Sequence, residues 1–200
     1  MTTSGAGMRG LIIRGAVAAL CLTAPAARAD LATTLNPLGE YYNNIPRAAQ
    51  ASDVTKIRSL LSDGYSPNQT DENGGTTGMH IAAGSGNLQI MAILYKAGAD
   101  INQRDNVGST PLDYAADHGR LEALKLLLDM KANVDQENKN GMTPLMFAAR
   151  SGDIEAVRAL LAHGANPAKT DYTGRDAVGW AQESHRQAVL QLLRSAAQKR

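Results

Sequence analysis

The chain has 200 residues, with 20 basic and 19 acidic side chains, a formal charge of +1, one cysteine and 4% aromatic residues. The near-balance of charge argues against nucleic acid, because phosphate binding needs a surplus of Lys and Arg on one face. So few rings argue against a base-stacking surface, and no stretch is long and apolar enough to span a bilayer as a helix.

Arg9 and Arg14 precede an apolar stretch over 15–24; Pro25 comes next, and Ala27-Arg28-Ala29 offers a small-x-small cut. Basic head, short apolar body and cut make 1–29 a secretory signal, cleaved between Ala29 and Asp30. Either Met1 or Met8 can serve as the start, since the seven residues before Met8 add nothing that the signal needs. Three arginines, no acid and the lone Cys21 leave with it. The exported chain is then mildly acidic and cysteine-free, so it makes no disulfide, thiolate nucleophile or cysteine zinc site. Gly5-x-Gly7-x-x-Gly10 matches a dinucleotide fingerprint, but no strand precedes it. Residues 30–44 read as an extended leader.

A 33-residue pattern organises the remainder of the chain. Gly75-Thr76-Thr77 with Ala82-Ala83 returns as Gly108-Ser109-Thr110 with Ala115-Ala116, and again as Gly141-Met142-Thr143 with Ala148-Ala149. Gly86, Gly119 and Gly152 keep the same step. A period in this range points to a stacked array. Thr110 and Thr143 stand as N-caps, with Pro111 and Pro144 at the first helical position. The Ala-Ala pair leaves a thin face that lets successive helices approach. A second helix begins near Leu121 or Ile154, with Leu121, Leu124, Leu127 and Leu128 on one face. Gly98 and Gly164 come after the second helix as left-handed residues, whereas Lys131 stands at that position in the middle copy and should carry a strain cost. The polar run 100–108 reads as a hairpin finger joining units.

These motifs resemble the ankyrin repeat, with its Asp-x-x-Gly-x-Thr-Pro-Leu-His-x-Ala-Ala signature. The resemblance implies an all-α solenoid of stacked helix-turn-helix units joined by β-hairpin fingers. It divides the chain into an N-terminal cap over 45–71, repeats over 72–104, 105–137 and 138–170, and a C-terminal cap over 171–200. In that last cap Asp176 takes the Thr position and Ala177 the Pro position. Gly78 replaces Pro and should weaken its helix. The signature His survives only as His80, with Asp113 and Met146 in the later copies.

Catalytic chemistry finds little support. No H-E-x-x-H or Gly-x-Ser-x-Gly pattern occurs, the four histidines fall in separate places, and no apolar pocket is foreseen that would raise a carboxylate pKa. The expectation is a non-catalytic, cofactor-free, metal-free monomer, periplasmic if the source is Gram-negative and otherwise secreted. By resemblance it binds another protein through finger tips and first helices, in stress protection or toxin neutralisation. The positions carried over are Asn106, Val107, Asp117, His118, Lys139, Met142, Arg150, Tyr172 and Arg175. Affinity is expected to centre on Met142, Arg150, Tyr172 and Arg175, since Met, Tyr and Arg are hot-spot types. The alternative is a small-ligand or metal site using His118 and neighbouring fingers.

Overall fold

The computed structural model describes residues 44–73 and 75–197. The expected export signal, its expected Ala29–Asp30 cut and the expected leader through residue 43 lie outside the described residues. Among the described residues, the helices come in five pairs. They are α1 Ile45–Gln50 with α2 Val54–Ser62, α3 Gly78–Ser85 with α4 Leu88–Lys96, and α5 Pro111–Asp117 with α6 Leu121–Asp129. The last two pairs are α7 Pro144–Ser151 with α8 Ile154–Ala162, and α9 Ala177–Glu183 with α10 Gln187–Ala197.

The first helix of each pair packs on the next in chain order, α1 on α3, α3 on α5, α5 on α7 and α7 on α9. These contacts are more extensive than those between successive second helices. The cause lies in the sequence. Ala48-Ala49, Ala82-Ala83, Ala115-Ala116 and Ala148-Ala149 are all buried, and none has a side chain beyond Cβ to hold the axes apart. The second helices add the bulk: Leu60, Ile90, Leu94, Leu124, Leu127, Leu160 and Leu193 are all buried in one continuous core. Helices of two or three turns do not persist alone in water, so this lateral burial holds them.

Capping sets where the helices start. Asn44, Thr77, Thr110 and Asp176 each accept a first-turn N–H with a side-chain oxygen, so Asn44 belongs to the first helix rather than to a leader. Asp53, Asn87 and Asp153 do the same for second helices. Thr143 departs from expectation. It occupies the N-cap of α7 but makes no side-chain cap bond, and its Oγ1 is buried without a partner among the described residues. Three residues on, where Thr77 and Thr110 find His80 and Asp113, Thr143 finds Met146, which offers no strong acceptor.

Two glycine positions are informative. Lys131 has φ +69°, the left-handed conformation that Gly98 and Gly164 adopt at the same place, so the expected strain is present. Gly78 is not simply a weak helix starter. A Cβ there would lie 2.7 Å from Ile45 Cγ2 and 3.1 Å from Leu94 Cδ1, because the N-terminal cap packs Ile45 into that space.

The β-hairpin strands expected in the fingers are not seen. Among the described residues there is no strand, only an isolated bridge between Thr70 and Thr77. Each finger is instead a tight turn closed by an acidic or amide side chain. Asp105 Oδ1 accepts the peptide N–H groups of Val107 and Ser109, Asn138 Oδ1 those of Asn140 and Met142, and Asp171 Oδ1 those of Thr173 and Arg175. A single backbone bond crosses each turn, from Asp105 N to the Ser109 carbonyl for example, and the return N–H that would extend it into a ladder is taken by that side chain. Neighbouring tips are joined directly, Lys139 N donating to the Val107 carbonyl and Tyr172 N to the Asn140 carbonyl, each at 3.0 Å. At the opposite end of the units, Asn68, Asn102 and Asp135 accept from the peptide N–H groups of Asp100, Asn133 and Asn166, fixing the spacing between units.

Candidate functional site

The third position of the first helix decides how neighbouring units meet. In α3 it is His80, fully buried. Its Nδ1 lies 2.8 Å from Thr77 Oγ1 and accepts the Thr77 N–H, while Nε2 lies 3.1 Å from the Ser109 carbonyl of the next finger. A neutral ring with its proton on Nε2 satisfies every one of these contacts. Burial holds the His80 pKa below its ordinary value, against the opposing effects of the Ser109 carbonyl and the Asp105 charge.

In α5 the same position is Asp113, 1% exposed. Its Oδ2 accepts from Thr110 N at 2.7 Å and Thr110 Oγ1 at 3.0 Å. Its Oδ1 has no hydrogen-bond partner among the described residues. Burial pushes the carboxyl up to about 7, outweighing the Thr110 hydrogen bonds that favour ionisation. No pocket able to raise a carboxylate pKa was expected from the sequence. Here one exists, because the inner-helix stack removes water from the third helical position whatever residue stands there.

Asp113 forms part of the wall of a cleft of about 270 Å³ between the second and third units, with Asp105, Val107, Tyr114, Asp117 and Phe147. Tyr114 donates its hydroxyl to Asp105 Oδ2 at 2.9 Å, so Asp105 is satisfied at both oxygens. Burial, and then the hydrogen bond and charge of Asp105, push the Tyr114 phenol well above its usual range. Tyr114 also stands edge-on to His80 and stacks on His118, fixing its ring between two units. Sequence reasoning singled out neither Asp113 nor Tyr114 nor Phe147 as site residues. The one signal pointing there was the acidic residue in place of His in the second copy.

The carried-over positions separate into two groups. Val107 is 55% exposed and Tyr172 is 75% exposed, both on finger tips. Lys139 Nζ donates to the Asn106 carbonyl, and Asn106 reaches the Asn73 carbonyl of the finger before it. These four line the edge of the stack. Met142, in contrast, is only 5% exposed. It occupies the finger position between Gly141 and the Thr143 cap, which turns its side chain into the core, and a residue so placed cannot be an anchor for a partner.

Arg150 and Arg175 are engaged within the molecule. Arg150 bonds Asp117 at 2.6 Å, and its guanidinium lies 5.0 Å from the Phe147 ring centre and 5.7 Å from that of Trp180. Arg175 lies 3.9 Å from the Trp180 ring centre and pairs with Glu183 and, at 3.5 Å, with Asp171. Trp180 Nε1 in turn donates to Asp171 Oδ2 at 3.0 Å. Phe147, Arg150, Trp180 and Arg175 thus form an alternating ring–cation series tying the third unit to the C-terminal cap. Competition from these contacts removes the two arginines as free hot spots. Asp117 is likewise held by Arg150.

His118 caps α5 and places Nδ1 2.9 Å from the Tyr114 carbonyl. Among the described residues no group of three or more His, Cys, Asp or Glu side chains converges to hold a metal ion. No helix among them is long and apolar enough to cross a membrane.

Residues 46–138 and 130–200 match the family model of ankyrin repeats (three copies). The chain belongs to the ankyrin-repeat family, whose members are generally protein–protein interaction modules and typically non-enzymatic.

Proposed function

We propose that this chain is a non-catalytic module exported from the cytoplasm, which binds a partner protein along its finger tips and first-helix face. The observation that carries the reading is the pair of exposed apolar side chains, Val107 and Tyr172, on tips fixed by backbone bonds to their neighbours. Apolar groups held rigidly at the surface lose little entropy on association, which makes them efficient anchors. The cleft beside Val107 lies on the same face and gives that surface relief.

Export rests on the basic head, apolar body and Ala27-Arg28-Ala29 cut, and places the module in the periplasm of a Gram-negative source, or outside the cell otherwise. There it would act as a monomer in stress protection or toxin neutralisation. The small-ligand or metal alternative around His118 is less favoured, since among the described residues no group of three or more His, Cys, Asp or Glu side chains stands together to hold an ion.

Photo-crosslinkers placed at 107 and 172, in cells expressing the full chain, test the reading. The expected result is one dominant crosslinked protein in the exported fraction at both positions, lost on Tyr172→Ala. Crosslinks that are absent, or confined to the cytosol, overturn it.

A further inference from the structure

The cleft between the second and third units has a chemistry of its own. Its polar side chains present lone pairs far more than N–H groups. Asp113 Oδ1 is an acceptor with no partner among the described residues, and Asp117 commits only Oδ1 to Arg150 and retains Oδ2. His118 Nδ1, facing a carbonyl at 2.9 Å, must carry the proton of the neutral ring, which leaves Nε2 as an acceptor. Val107, the Tyr114 ring and Phe147 supply the apolar part of the lining, and Ser109 and Asp105 complete it. The volume of about 270 Å³ lies below the ~300–1,000 Å³ typical of whole small-molecule sites and suits a single side chain.

We propose that this cleft is a receptor for one lysine side chain of the partner protein, its methylenes on Val107, Tyr114 and Phe147 and its ammonium turned toward Asp113 and Asp117. A lysine fits where other side chains do not. An ammonium has three donors and no acceptor, matching a site of lone pairs, and a four-carbon stem matches an apolar mouth. A guanidinium would compete with Arg150, which already covers Phe147 and holds Asp117. A carboxylate would face three aspartates. A buried carboxylate with one oxygen unpartnered destabilises the free protein, and a guest cation relieves that cost only in the complex.

This subsite rests on the protein-binding reading but is tested apart from it. NMR titration of the full chain with n-butylammonium, and separately with n-butanol as a neutral probe of equal length, should give saturable shifts at Asp113, Tyr114 and Phe147 for the ammonium alone. Asp113→Asn should weaken that binding about tenfold or more, the scale of a lost charge-assisted hydrogen bond. A melting curve shows whether that variant is folded. Binding should also tighten as pH rises from about 6 to about 8, because the ammonium needs Asp113 ionised. Around the cleft stand Arg104 and Asp105 on the finger, Tyr114 and Asp117 on α5 and His118 at its C-cap, with His80 of α3 against Tyr114, Arg150 of α7 on Asp117 and Lys139 of the following tip on Asn106. The variant, lacking the carboxylate, should have a flatter pH profile. Equal response to the alcohol, or full ammonium binding by Asp113→Asn, overturns the subsite and leaves the crosslinking result standing. Ammonium binding without any crosslinked partner supports the subsite and removes the wider reading.

Discussion

Replacing Asp113 by Asn should stabilise the protein, and by an amount that depends on pH. An aspartate titrates near 3.8 in an unfolded chain and at about 7 here, where burial disfavours the charge. Below the lower value the carboxyl is protonated in both states, so the fold carries no penalty. Between the two, the folded protein still holds a proton that the unfolded chain has released, and stability falls as pH rises until it levels above about 7. A gap of about three units at ~1.4 kcal/mol each sets the limit near 4 kcal/mol. For a domain of this size that corresponds to a Tm change on the order of 10 °C. Asparagine keeps an oxygen for Thr110 and puts a neutral amide where the unpartnered Oδ1 stood. Urea melts of both proteins at steps from about pH 4 to about pH 8.5 measure the difference. That difference should be near zero at the acid end and grow to ~2–4 kcal/mol above pH 7. Taking it at each pH separates Asp113 from His80. The His80 pKa is lowered, so its contribution is present above about 6.5 and is lost as pH falls below it, in both proteins alike. A difference that stays flat across pH would refute the role given to burial of Asp113.

Other substitutions test the remaining inferences. Lys131→Gly should raise stability by ~0.5–1 kcal/mol by removing the left-handed strain, seen as a higher denaturation midpoint; a lower one would contradict the geometry. Gly78→Pro obeys the repeat signature yet should destabilise by ~1–3 kcal/mol, because ring atoms must occupy space held by Ile45 and Leu94. Thr143→Val should be neutral or stabilising by up to about 1 kcal/mol, since that hydroxyl has no partner among the described residues. Thr110→Val should cost ~1–2 kcal/mol through the lost cap and the lost bond to Asp113. Parallel denaturant melts compare the two valines, and equal effects would sink the distinction.

The repeat, its helix pairs and the strained Lys131 were legible because each obeys local rules: a 33-residue step, a Thr cap before Pro, and a left-handed position that normally takes Gly. The strands expected in the fingers are not seen, because polar turn residues predict a reversal of the chain without saying how many of its N–H groups bond across it and how many to a side chain. One backbone bond crosses each of these turns, from Asp105, Asn138 and Asp171 N to the carbonyls of Ser109, Met142 and Arg175, while the return N–H groups go to the Asp105, Asn138 and Asp171 side chains.

The surroundings of the carried-over positions were only partly legible, for a related reason. Met142, Arg150 and Arg175 were chosen by residue type and repeat position, and neither reports what the neighbouring unit supplies. Packing of the third unit turned Met142 inward, and Trp180 from the C-terminal cap captured both arginines. Asp113 shows the same division most sharply. Its exchange for the signature His is visible in the sequence. Its burial, its unpartnered oxygen and its raised pKa arise only when α5 is stacked between its neighbours, because dielectric and hydrogen-bond satisfaction belong to the assembled stack and not to any one repeat.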